Sequence, residues 1–144
     1  MLKTKPRYLL LDTHVWVWLM NGDQALNRKS YLKTIEQYAR QDGLRICAIS
    51  IWEIGMLVAK KRLALSKDLY QWVEESLSAK GLSVEPLSVD VLLKSTQMGD
   101  DIQGDPADRM ILSVARSINA ALMTADAQMI TYCRRHNFPV EPIE

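Results

Sequence analysis

The apolar and polar positions alternate between two rhythms, short unbroken runs and longer stretches with helical spacing. Residues 8–11 form the first run and end on a single acid, Asp12, as expected of a strand buried on both faces of a parallel sheet. A short helix is predicted over 13–20, stopping near Asn21 and Gly22. Tyr31, Leu32, Ile35, Tyr38 and Ala39 then fall at helical spacing within 28–41, with Gly43 as the stop. Residues 44–49 read as a second strand. Ser50 opens a helix with Glu53 three residues on, the capping-box pattern, running to about Lys60. A further helix is expected over 68–80, closing at Gly81. Residues 82–87 form a third strand that Pro86 keeps short or near an edge, and Ser88 caps a helix reaching about Met98. After the polar stretch 99–104, Asp105 stands as an N-cap, Pro106 at the first helical position and Asp108 in the first turn of a helix to about Asn119. Residues 120–124 read as a fourth strand, Asp126 caps a last helix to about His136, and Phe138 and Val140 mark a short final strand. This alternation predicts an α/β layered domain around a mostly parallel sheet. It shows no internal repeat, low-complexity tract or interdomain linker.

A chain of 144 residues suits one compact domain. With 48% hydrophobic and 24% charged residues it has the profile of a folded protein, not a disordered one. Eighteen Lys and Arg oppose seventeen Asp and Glu, a formal net charge of +1. Any attraction to nucleic acid must therefore come from local patches. Cys47 and Cys133 are the only cysteines and lie far apart, which argues against a disulfide scaffold or a multi-cysteine zinc site. Two histidines supply a His-based metal site poorly. The start, Met1 to Pro6, lacks the apolar core of a signal peptide. No stretch approaches the ~18 apolar residues of a membrane span. A reducing cytoplasm is the expected location.

The chemistry lies in the acids. Ligands of open α/β sheets bind beyond the carboxyl ends of the strands. Asp12 ends strand one, Glu53 lies one turn into the helix after strand two, Asp126 follows strand four by two residues, and Asp105 and Asp108 open another helix. Each has an ordinary structural use: Asp12, Asp105 and Asp126 as caps, Glu53 and Asp108 as first-turn acids. Together they suggest more. Carboxylates within ~4–6 Å raise one another's pKa, and a hard divalent cation removes that penalty; Mg²⁺ favours a few carboxylates plus several waters.

Four segments in order carry a family resemblance: Leu11 to Trp18, Ser50 to Ile54, Asp105 to Arg109 and Leu122 to Asp126. They resemble the four signatures of the PIN domain, in particular the VapC-type toxins of bacterial toxin–antitoxin systems, and span nearly the whole chain. The resemblance implies a PIN-like three-layer α/β/α fold and a metal-dependent endoribonuclease using Mg²⁺, with Mn²⁺ possible. On that match Asp12, Glu53, Asp108 and Asp126 form the catalytic acidic quartet. Asp105 is the extra aspartate of a DP-x-DR variant and a candidate ligand or cap. Thr13 and Thr124 are candidates to orient carboxylates or water, and Arg109 to contact the substrate phosphate. Gly104 departs from the pattern, standing where relatives often carry a basic residue. The implied partners are an RNA substrate, a small antitoxin, a second copy of the chain, and operator DNA reached only through the antitoxin, with no membrane.

Other residues allow two uses each. His14 is a substrate contact or a structural first-turn histidine. Trp16, Trp18, Trp52 and Trp72 are base-stacking candidates or packing residues, with one of Trp16 and Trp18 expected at the surface. Lys60 to Arg62 and Arg134 with Arg135 are phosphate contacts or solvated helix ends. Asp100 and Asp101 read as loop acids facing solvent or as further members of the metal site. Two other functions stay open: a housekeeping PIN nuclease of RNA maturation, and a catalytically silent interaction module whose acids only cap helices. An upstream overlapping reading frame for a small DNA-binding protein favours the toxin; failure to bind metal favours the silent module.

Overall fold

The computed structural model describes residues 5–144. The absence of a signal-peptide core was read over Met1 to Pro6, and residues 1–4 of that stretch lie outside the described residues. The chain forms β1 (Leu9–Leu11), α1 (Thr13–Asn21), a short 3-10 turn (Gln24–Leu26), α2 (Lys29–Arg40), β2 (Leu44–Cys47), α3 (Ala48–Ala59), α4 (Leu69–Leu77), β3 (Leu82–Glu85), α5 (Val89–Ser95), α6 (Pro106–Ser117), β4 (Ala121–Thr124), α7 (Ala127–Arg135) and β5 (Val140–Pro142). Among the described residues no helix is long and apolar enough to cross a membrane.

The strand order is β3-β2-β1-β4-β5 and every pair is parallel, so the sheet is parallel throughout. Strand pleating divides the core. Leu9, Leu11, Ala121 and Met123 pack with Trp16, Ile35, Ile54 and Trp72 on one face. Leu10 and Leu122 pack with Ile111, Leu112, Met129 and Tyr132 on the other. Helices α1 to α4 thus cover one side and α5 to α7 the other, the expected three layers. As expected, β3 is an edge strand and ends one residue before Pro86, which has no N–H for a ladder. Gly81, just before it, has φ +84, and a Cβ there would meet the Ala39 carbonyl oxygen at 2.1 Å, so glycine is required.

The junction of β2 and α3 differs from the expected one. Strand two ends at Cys47, not Ile49, and α3 begins at Ala48 with no side-chain cap. Ser50 therefore does not open the helix, and Ser50 and Glu53 form no capping box. Cys47, Ser50 and Ile54 are all fully buried, and their helical spacing turns the Ser50 hydroxyl inward to Thr13.

The connections place the site. After β1 the chain builds outward through β2 and β3, then returns to lay β4 on the other side of β1. The switch in winding direction opens a crevice at the carboxyl ends of β1 and β4. The Asp12 N–H extends the β1–β4 ladder by one bond to the Met123 carbonyl, 2.9 Å, which fixes Asp12 at the mouth of that crevice.

Candidate active site

Asp12, Glu53, Asp105, Asp108 and Asp126 line one cavity of about 230 Å³, together with His14, Trp18 and Ala125. Asp12 leaves β1 in an extended conformation and caps α1, its Oδ1 accepting from the Thr13 N–H at 2.8 Å. Its Oδ2 accepts from the Thr124 hydroxyl at 2.7 Å. The same Thr124 oxygen accepts from the Asp126 N–H at 3.0 Å, so one fully buried threonine joins the acids that follow β1 and β4. Asp126 caps α7, Oδ1 accepting from the Met129 N–H at 2.9 Å. Asp105 caps α6, Oδ1 accepting from the Ala107 N–H at 2.9 Å, with Pro106 at the first helical position.

Glu53 projects from the second turn of α3, and its Oε1 accepts from the Thr13 hydroxyl at 2.5 Å. Thr13 has one hydroxyl proton, so with that proton directed to Glu53 the Ser50 hydroxyl, 2.7 Å away, must donate to Thr13. Ser50, Thr13 and Glu53 form a buried relay that aims a carboxylate from α3 across to α1. The Thr13 and Thr124 hydroxyls thus each donate to a carboxylate, of Glu53 and Asp12 respectively. Ser50 was read as a cap. Its three-residue spacing from buried Cys47 was the available signal for an inward role.

Electrostatics single out Asp108. It is half-buried in the first turn of α6, and no hydrogen bond from the described residues steadies its carboxylate. Burial, and then the charges of Asp12, Asp105, Asp126 and Glu53, push its pKa up to about 7. Burial also raises the Asp12 pKa, opposed by its bonds from Thr124 and Thr13. For Glu53 burial is again the main raising effect, opposed by Thr13 and joined by repulsion from Asp105 and Asp12.

Among the described residues no three His, Cys, Asp or Glu side chains converge tightly enough to form a preformed metal cage. The donor set nonetheless fits a hard divalent cation: every ligating candidate is a carboxylate oxygen, and their mutual repulsion is what such an ion relieves.

The remaining candidates separate. Arg109 donates to the Gly99 carbonyl at 2.9 Å and to the Ile102 carbonyl, so this face of its guanidinium secures the loop before Asp105. That loop is also held by Asp101, which faces His136 at 2.7 Å and Arg135 at 3.4 Å; Asp101 is therefore paired rather than merely solvated. Lys60, Lys61 and Arg62 are exposed beyond α3, and Arg134 pairs with Glu144 at 3.1 Å; none of them lines the acid cavity. His14 is exposed at the cavity edge. Trp16 is fully buried and packs edge-on against Trp72 at 5.1 Å, Trp18 is partly buried, and Trp52 is 60% exposed. The residue left at the surface is thus Trp52, rather than Trp16 or Trp18.

The model of the PIN domain matches residues 9–135. The chain is 26% identical over 132 residues to ribonuclease VapC22 of Mycobacterium tuberculosis, covering 92% of this chain and 95% of that protein. In fold it resembles the crystal structure of VapBC2 from Rickettsia felis bound to a fragment of its promoter DNA, with a TM-score of 0.70, 22% identity, and 95% and 99% of the two chains covered. It also resembles DNA-bound VapBC from Salmonella typhimurium, with a TM-score of 0.64, 17% identity, and 95% and 98% covered. The four motifs, the parallel sheet and the acids at its switch point agree with that match, and the chain belongs to the PIN domain family.

Proposed function

We propose that this single PIN domain is an endoribonuclease, the toxin of a toxin–antitoxin pair, and that it hydrolyses RNA phosphodiester bonds with Mg²⁺ or Mn²⁺ held by Asp12, Glu53, Asp108 and Asp126. The observation that carries this reading is Asp108. A fold that needed α6 only to be capped has Asp105 for that purpose. The helix dipole favours a first-turn acid, but burial and four facing carboxylates oppose the charge of Asp108. That arrangement is costly unless a cation enters the cavity.

When bound, the cation supplies neutralising charge for the acids and for the phosphate, and lowers the pKa of water. The chain's own residues do the positioning. Thr124 and the Thr13 N–H hold both oxygens of Asp12. Thr13 holds Oε1 of Glu53, which leaves Oε2 available to the cation. Asp105 borders the same space and serves as the α6 cap. Arg109 braces the adjoining loop.

The RNA substrate and the nuclease activity are supported by the ribonuclease relative. An antitoxin partner is supported by the VapBC complexes among similar structures, where DNA is also bound; operator DNA would be reached through that partner. Self-association is proposed as what the family resemblance implies; of the apolar stretch Ile51, Ile54, Met56, Leu57 and Val58 that suggested a surface for it, Ile54 is fully buried, while Val89 and Leu93 of α5 are 76% and 59% exposed. Free, buried Cys47 and Cys133 suit a reducing cytoplasm. The test is cleavage of RNA by purified, partner-free protein. Activity is expected with Mg²⁺ or Mn²⁺, to stop in EDTA, and to vanish in a folded Asp12→Asn variant, because asparagine keeps the cap and loses the charge. Full activity in EDTA with no retained metal defeats the reading.

A further inference from the structure

Trp52 precedes Glu53 on α3, so the helix that delivers an acid to the cavity also delivers an indole to the surface, 60% exposed. The indole borders a second depression of about 440 Å³ between the amino-terminal ends of α3 and α6, walled by Ile49, Leu87, Pro106 and Met110. Asp105 lines both this groove and the acid cavity, so the two adjoin. No Lys or Arg lines the groove. A phosphate would find no counter-charge there. The walls suit a flat, neutral, apolar-faced group tethered to a phosphate in the neighbouring cavity. A nucleobase one sugar away from that phosphate meets each requirement, and base–aromatic stacking tolerates any base.

We infer that Trp52 is the stacking platform for a base flanking the cleaved phosphodiester, an assignment that rests on the nuclease reading and adds a substrate subsite to it. Stacking on Trp52 positions the RNA, while the acids carry the chemistry.

The test pairs the protein change with a substrate change. A short single-stranded RNA cut by the wild type at one position is compared with copies carrying an abasic ribose on either side of the cut. Cleavage is measured for wild type, Trp52→Phe and Trp52→Ala. Losing the base at one flanking position is expected to slow the wild type about 10-fold, within the range set by one stacked base. Trp52→Ala slows the intact RNA by a similar factor, and the abasic RNA is then cut no more slowly by it. Trp52→Phe retains most of the rate. Binding of the same RNAs by fluorescence anisotropy, in an Asp108→Asn background, separates the two readings. A Trp52- and base-dependent affinity in a protein whose parent never cuts keeps the subsite and defeats the nuclease reading. Cleavage and binding indifferent to Trp52, or a Trp52→Ala loss equally large on abasic RNA, overturn the subsite. So does a Trp52→Ala protein that handles RNA normally and no longer retains its partner chain, which would place a protein in the groove.

Discussion

Replacing Asp108 by asparagine should make the metal-free protein more stable while destroying its activity. The carboxyl titrates at about 7 in the fold against 3.8 in the free side chain. Between those values the native state holds a proton that the unfolded chain has released. Stability therefore falls as pH rises from about 4 to about 7, and is flat beyond. At about 1.4 kcal/mol for each pH unit, the full displacement corresponds to roughly 4 kcal/mol. Asp108 is only half-buried and borders open solvent, so screening and relaxation reduce the recoverable part to roughly 1–2 kcal/mol. In a chain of this length that is a rise in Tm of roughly 3–8 °C. The assay is thermal unfolding followed by circular dichroism in EDTA, for both proteins, from about pH 4 to pH 8. The curves should coincide at the acid end and diverge towards pH 8, the variant above. Saturating Mg²⁺ should lift the wild type selectively, since binding to the native state alone stabilises it. An Asp108→Asn protein that melts below wild type at pH 8, or by the same margin at every pH, would refute the charge-repulsion argument.

Asp105→Asn should keep its stability within about 0.5 kcal/mol, since asparagine caps as well as aspartate, and should retain partial cleavage; a dead Asp105→Asn beside a normally active Asp108→Asn would reverse the two roles. Ser50→Ala removes the donor to Thr13 in a fully buried relay. It should cost about 1–3 kcal/mol in denaturant unfolding and lower kcat more than it raises KM, because Glu53 loses its fixed orientation. Arg109→Ala frees the Gly99 and Ile102 carbonyls, so limited proteolysis should cut within 99–104 faster than in wild type; an unchanged cleavage pattern would remove the bracing role.

The layered fold was legible because parallel strands buried on both faces leave an uninterrupted apolar run, and residues 8–11 and 120–124 are of that kind. The carboxylates were legible because they stand where strands end and helices begin, at Asp12, Asp105 and Asp126. Contacts fixed by tertiary packing were not. Ser50 followed by Glu53 has the local form of a capping box, yet α3 starts two residues earlier, because Cys47, Ser50 and Ile54 share the buried face. Arg109 adjoins Asp108 in sequence and invites a phosphate, but the carbonyls that engage its guanidinium come from a loop whose path no periodicity specifies. Trp52 was one of four tryptophans with nothing local to show that it, rather than Trp18, would face solvent.

Helix capping and ligand binding need not compete for the same aspartates. A carboxylate has two oxygens, and the cap bonds use one in each case: Oδ1 of Asp12, of Asp105 and of Asp126. The second oxygen of Asp12 is taken by Thr124, which leaves further lone pairs on an ionised group. The cap thus fixes the rotamer of each acid against a rigid helix end and points the rest of the group into the crevice. The amino-terminal ends of α1, α6 and α7 also offset part of the negative charge gathered there. Asp108 and Glu53 lie outside this arrangement, one held by no hydrogen bond from the described residues and the other by a hydroxyl relay. Among the described residues no hydrogen bond steadies the charge of Asp108, so a cation entering the cavity should lower its pKa.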